Sequence, residues 1–246
     1  MSCDPKVFDK YLKPKVTVLS DSSNAPIAAE LPVAQTYRSL PGLNQPAPDF
    51  DANTTHGRRK LADYKGKWLV LFSHPADLTP VCTTEFIAFA RNHEKFTALG
   101  CELLGLSIDS NYAHIAWDRN IEEKFGVEVP FPIIEDLSMS VATGYGLIQP
   151  GASDTSAVRA TFIIDPSAIL RAMVYYPMSN GRSVVEFLRL VEALQTSDKY
   201  KVATPEAWKP GTAVVVPPPA MTDEAHARKD QGFEYTDWYF SKKKLA

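Results

Sequence analysis

From about residue 46 the chain alternates between two hydrophobic periods. Trp68 to Ser73 (WLVLFS) and Glu102 to Ile108 (ELLGLSI) are nearly continuous apolar runs, the pattern of strands buried on both faces. A strand and turn are expected over Phe50 to Leu61, a short strand at Phe131 to Ile134, and a strand pair at Ala160 to Ile164 and Ile169 to Tyr176. The turn of that pair is Asp165-Pro166-Ser167. Between the strands the period lengthens. A helix is predicted from about Pro80 to Leu99, and a second, capped by Asp109 or Ser110, runs to Phe125. A short helix covers Ser138 to Tyr145. Ser183 to Thr196 is amphipathic, with Val184, Phe187, Leu188, Val191 and Leu194 on one side. Strands alternating with helices imply an α/β fold, a mixed central sheet flanked by helices.

The ends have a different texture. Residues 1–40 show no sustained period and read as an N-terminal extension, with Pro14, Pro26 and Pro32 breaking up a small, polar stretch. The layered domain then spans residues 41–200, and residues 201–246 form an extended, proline-punctuated C-terminal arm. Phe233, Tyr235, Trp238, Tyr239 and Phe240 crowd its end and need a surface to bury against, on this subunit or another.

Composition narrows the functional classes. A net charge of −3 gives no electrostatic reason to expect nucleic acid or an anionic membrane as partner. No apolar run approaches the roughly 20 residues of a membrane span. Asp4, Asp9 and Lys10 interrupt any leader-like core, so a cytoplasmic protein is expected. The three cysteines, at positions 3, 82 and 101, are odd in number and widely spaced. That is no disulfide framework, and five scattered histidines give no zinc signature.

The informative stretch is Ser73 to Phe86, SHPADLTPVCTTEF. Pro80 suits a first helical residue because it lacks an N–H, which places Thr79 as the N-cap and Cys82 in the first turn. There the sulfur lies among free backbone N–H groups at the positive end of the helix dipole, a position that favours the thiolate. Phe86, Phe89, His93 and Phe96 follow at spacings of four and three, so Cys82 faces the core and is reached by a narrow path. The residues alone leave several readings open. Cys82 could be a small buried hydrophobe, a redox-sensing or holdase thiol, the nucleophile of a hydrolase with His74, or a peroxidase thiolate.

Pro75, Thr79 and Cys82 stand in the order P-x-x-x-T-x-x-C, which resembles the active-site motif of the peroxiredoxins. The wider string FSHPADLTPVCTTEF resembles the one-cysteine branch. PAPDFDANTTHG, GLSIDS, PFPIIED and VATPEAWKPG extend the likeness over roughly residues 41 to 235. The resemblance implies a thioredoxin-like fold and a thiol-dependent peroxidase that needs no cofactor or metal. By the same likeness Cys82 is the peroxidatic cysteine, Thr79 bonds the peroxide oxygens, Pro75 shields the thiolate and Arg159 lies by the sulfur. His74, Glu85 and Arg182 match a supporting shell. The resemblance implies a hydroperoxide substrate, a homodimer and larger rings of dimers.

Two departures matter. Two-cysteine relatives carry a resolving cysteine in a V-C-P-like segment, but here Val202-Ala203-Thr204-Pro205 has none and no cysteine follows Cys101. An external thiol is therefore expected as reductant, with Cys101 a packing residue. Some one-cysteine relatives add a phospholipase serine in a G-D-S-W-G segment. Here Lys67 replaces that serine, with Ala62 and Ser167 in place of its histidine and aspartate, so no lipase activity is expected.

Overall fold

The computed structural model describes residues 40–149 and 156–245. The expectations for residues 1–39, including any role for Cys3, lie outside the described residues. At the centre is a five-stranded sheet of β3 (Trp68–Ser73), β4 (Cys101–Ser107), β5 (Ile133–Glu135), β6 (Arg159–Ile164) and β7 (Leu170–Tyr176), in the order β5-β4-β3-β6-β7. β3, β4 and β5 are parallel, and β6 and β7 are antiparallel to their neighbours, so the sheet is mixed. A small hairpin of β1 (Asp51–Ala52) and β2 (Arg59–Lys60) precedes it.

The central strands are apolar throughout because both faces of the sheet are covered. Leu69 and Leu71 of β3 join Leu104, Leu106, Tyr145 and Phe162 in one core. Val70 and Phe72 point the other way, into a second core with Phe86, Phe89, Trp117, Ile133 and Val191. The one-residue alternation of the strand thus feeds two layers. Gly105 of β4 makes the second layer fit, since a Cβ there would lie 3.3 Å from the ring of Phe86.

The helices are α1 (Pro80–Arg91), α2 (His93–Ala98), α3 (Asn111–Phe125), α4 (Ser140–Gly144) and α5 (Val184–Tyr200). The single helix expected over Pro80 to Leu99 is two. The Asn92 amide donates to the Ala88 carbonyl at 2.8 Å, which competes with the backbone ladder and ends α1. α3 starts as expected, with the Ser110 hydroxyl accepting from the Ala113 N–H, and ends on Gly126 at φ 64°.

The arm after α5 is more structured than its prolines suggested. β8 (Val214–Val216), β9 (Glu234–Asp237) and β10 (Phe240–Lys243) pair in the order β8-β10-β9, with α6 (Thr222–Ala227) between β8 and β9. Trp208 and Val214 pack on Ala193 and Val202, but Tyr235, Trp238 and Tyr239 stay largely exposed.

Candidate active site

The turn between β3 and α1 carries Ser73 to Thr79, and it is held from several sides. Ser73 donates its hydroxyl to the Val158 carbonyl at 2.6 Å. The Asp77 N–H donates to the Asp109 carboxylate at 3.1 Å. Leu78 is in the left-handed region at φ 55°, a conformation a branched side chain adopts only when its surroundings enforce it. Thr79 sits at the N-cap with extended backbone, but its hydroxyl does not cap the helix. It donates instead to the Ala76 carbonyl at 2.9 Å and closes the turn. No side chain caps the first turn of α1, which leaves the positive helix end to the groups around Cys82.

Cys82 is 1 % exposed, and its sulfur lies 3.6 Å from Nη1 of Arg159, at the start of β6. The same Nη1 donates to Glu85 Oε2 at 2.5 Å, and Nη2 donates to the Met178 carbonyl at 2.9 Å. Glu85 is one turn along α1 from Cys82. Its carboxylate also takes a two-pronged bond from Arg182, Nε to Oε1 at 2.9 Å and Nη2 to Oε2 at 2.8 Å, plus the Arg182 N–H at 2.6 Å. The remaining Nη1 of Arg182 donates to the Ala160 carbonyl and the Thr161 hydroxyl. These three charged residues are all buried.

The charges do not cancel among themselves. Burial pushes the Glu85 carboxyl up, but the hydrogen bonds and charge of Arg182 outweigh it and hold the group below its usual range. Burial lowers Arg182, and Glu85 opposes that. Two buried guanidiniums against one carboxylate leave one positive charge uncompensated. That excess charge stands beside the Cys82 sulfur, through Arg159. The arrangement therefore suits a thiolate and a reaction that spreads negative charge from sulfur to oxygen.

His74, expected in the same shell, belongs to a neighbouring cluster. Its Nε2 lies 2.7 Å from Asp77 Oδ1, and Nδ1 of His114 on α3 lies 2.7 Å from Asp77 Oδ2. Burial holds His74 below the usual histidine range and so neutral. The three side chains offer ligand atoms within 4.8 Å of one another. Contacts of 2.7 Å between nitrogen and oxygen are hydrogen bonds, tighter than two atoms sharing one zinc at about 2.0–2.1 Å each would stand in a tetrahedral site. Asp77 and His114 carried no sequence signal: 37 positions separate them, and neither lies in a recognisable spacing.

Cys101 is also buried, at 2 % exposure, on β4. Burial pushes its thiol up to about 12, and the nearby Glu102 charge adds to the effect. At neutral pH it is an inert thiol.

Residues 43–173 match the profile of the AhpC/TSA family, and residues 193–232 match the C-terminal domain of 1-Cys peroxiredoxin. The chain is a peroxiredoxin. A peroxiredoxin of Aquifex aeolicus is 55% identical over 218 residues, covering 84% of this chain and 98% of the relative. Peroxiredoxin 2 of Caldanaerobacter subterraneus is 54% identical over 208 residues, 84% of this chain and 94% of the relative. Among solved structures, a yeast mitochondrial 1-Cys peroxiredoxin superposes with a TM-score of 0.75 at 39% identity, covering 84% of this chain and 100% of that one. A mutant of peroxiredoxin 6 from Arenicola marina gives 0.74 at 32% identity, with 84% and 99% covered. This peroxiredoxin is a thiol-dependent peroxidase of the one-cysteine type, with a thioredoxin-like fold.

Proposed function

We propose that Cys82 is the peroxidatic cysteine and that Arg159, Thr79 and Pro75 work directly around it. The contact between Arg159 and the sulfur, 3.6 Å, carries this reading. The Cys82 thiolate attacks the distal oxygen of a hydroperoxide. The O–O bond breaks, sulfur becomes sulfenic acid, and the departing oxygen takes a proton and leaves as water or an alcohol. Thr79, having donated its hydrogen to Ala76, has lone pairs left to accept from the peroxide O–H. Buried Pro75 shields the sulfur from bulk water. Glu85 and Arg182 fix the guanidinium of Arg159, and His74 braces the turn through Asp77.

The substrates are hydrogen peroxide and organic hydroperoxides. Cys101 is buried and inert, and Val202-Ala203-Thr204-Pro205 carries no cysteine, which supports reduction of the sulfenic acid by an external thiol. The solved yeast relative is described as resolved through glutathione and thioredoxin systems, and either thiol class fits here. Lys67, where lipase-bearing relatives have serine, pairs with Glu102 at 2.6 Å, and no lipase activity is proposed. The exposed Tyr235, Trp238 and Tyr239 support a homodimer, with rings of dimers as the larger assembly; the site of action proposed with it is the cytoplasm. Nucleic acid and membrane are not proposed as partners; among the described residues no helix is long and apolar enough to cross a membrane. Rapid mixing with hydrogen peroxide tests the core of the reading. Wild type should be oxidised orders of magnitude faster than a free thiol and Cys82→Ser should not be; equal consumption by both would end it.

A further inference from the structure

A half-buried acid on α3, Asp118, has no part in the mechanism above. Oδ1 of Asp118 is buried and has no hydrogen-bond partner. Asp118 follows His114 by four residues on α3, so the two side chains share one face of the helix. His114 is fully buried, and both of its ring nitrogens face oxygen acceptors. Nδ1 faces the Asp77 carboxylate at 2.7 Å and Nε2 faces the Ile134 carbonyl at 3.2 Å. Neither oxygen carries a hydrogen, so both bonds form only when the ring holds two protons, as imidazolium. His74 differs: it meets a carboxylate on one nitrogen and has no partner on the other.

We propose that Asp118 is a positioning residue for the Pro75–Thr79 turn and acts through His114. Its carboxylate keeps the buried ring doubly protonated, and the charged ring clamps Asp77, the residue that anchors the turn. This rests on the reading of Cys82, Thr79 and Pro75 given above. The groups that face the clamp are His74 and Asp77 from the turn, Asp109 from beyond β4, and His114 and Asp118 from α3. Asp77 bonds the ring, Asp109 adds its charge, and Asp118 on the same helix face interacts electrostatically with it, so the ring stays charged in a place where burial alone would discharge it. In accord with this, burial lowers His114 but Asp77 more than restores it, to above the usual range. Burial pushes Asp118 up to about 7, with His114 opposing. Asp118 thus gains its negative charge as pH rises through about 7, and once ionised it favours the proton on the ring. The device extends the clamp to higher pH.

The test is a titration of His114 by NMR, in wild type and Asp118→Asn, with Cys82→Ser as background so that the reading does not depend on the thiol. The ring of Asp118→Asn should lose its proton at lower pH, and Asp118→Glu should restore the wild-type titration. In the Cys82-containing enzyme, the pH profile of peroxide consumption should begin to fall at lower pH in Asp118→Asn, with the rate at pH 8 down at least about threefold. His114→Gln should make the profile indifferent to Asp118. An unchanged His114 titration in Asp118→Asn overturns the proposal, as does an effect of Asp118→Asn that persists with His114→Gln. A protein in which the titration shifts as stated but Cys82→Ser consumes peroxide normally would instead overturn the reading of Cys82.

Discussion

Cys82 and Cys101 lie in the same hydrophobic core, both about equally buried, yet the charges around them differ in sign. Cys101 opens a strand with hydrocarbon around it and the carboxylate of Glu102 beside it, and its thiol holds its proton up to about 12. Cys82 opens a helix, with a guanidinium at 3.6 Å and one buried positive charge left to balance. Burial alone raises a thiol and makes it inert, and on the proposed reading it is the charge pattern enclosed with the Cys82 sulfur that sets it apart.

The largest expected effect is the most direct challenge to that contrast. Cys82→Ser should lower the rate of peroxide consumption by more than roughly a thousandfold, whereas Cys101→Ala should leave it within about twofold. Stopped-flow measurement of both decides whether the two thiols differ as claimed. Under excess peroxide, sulfinic acid should accumulate on Cys82 and leave Cys101 a thiol, readable by peptide mass spectrometry. Removing the charge that separates the two sites comes next: Arg159→Ala should slow Cys82 oxidation by roughly a hundredfold, as the loss of a buried donor at a developing anion does. Oxidation at the wild-type rate would refute the part given to Arg159.

The smaller effects concern stability. Glu85→Gln leaves Arg159 and Arg182 buried without their carboxylate and should cost about 3–5 kcal/mol in denaturant unfolding. For Asp118 the sign runs against the ordinary salt-bridged acid. Its folded-state value is raised, from 3.8 to about 7, so the folded protein binds more protons than the unfolded chain between those limits. Stability from this group is present below about pH 4 and is lost as pH rises through about 7. Asp118→Asn should therefore flatten that slope and stabilise the protein at pH 8 by roughly 1–3 kcal/mol. A variant no more stable than wild type at pH 8 would contradict the burial of this charge. If both this gain and the shift in His114 appear together, the acid is kept at the expense of stability for the clamp it maintains.

Much of the architecture follows from pattern. WLVLFS and ELLGLSI are apolar at every step and became the adjacent parallel strands β3 and β4, because a strand with no polar face must be covered on both sides. The Asp165-Pro166-Ser167 turn joins β6 to β7 as expected. The break at Asn92 was harder to see, since the apolar spacing runs through it while a single side-chain amide ends the ladder. The arm was harder still: Val214 to Val216 becomes a strand by pairing with β10, more than twenty residues later, and with Ala203 on its other side.

Within the site, local order determined that a cysteine would stand in the first turn of a helix begun by Pro80 and preceded by Thr79, because helix starts are built from neighbouring residues. The sequence also shows that no cysteine stands between Cys101 and residue 246. What surrounds the sulfur was decided by the tertiary structure. Arg159 is 77 positions away and is brought to Cys82 by antiparallel pairing of β6 against β3. Arg182 reaches Glu85 across 97 positions, and His114 reaches Asp77 across 37. Charges act through space with a reach of a few ångströms, so their effect on one thiol depends on which strands lie side by side, and no spacing along the chain records that.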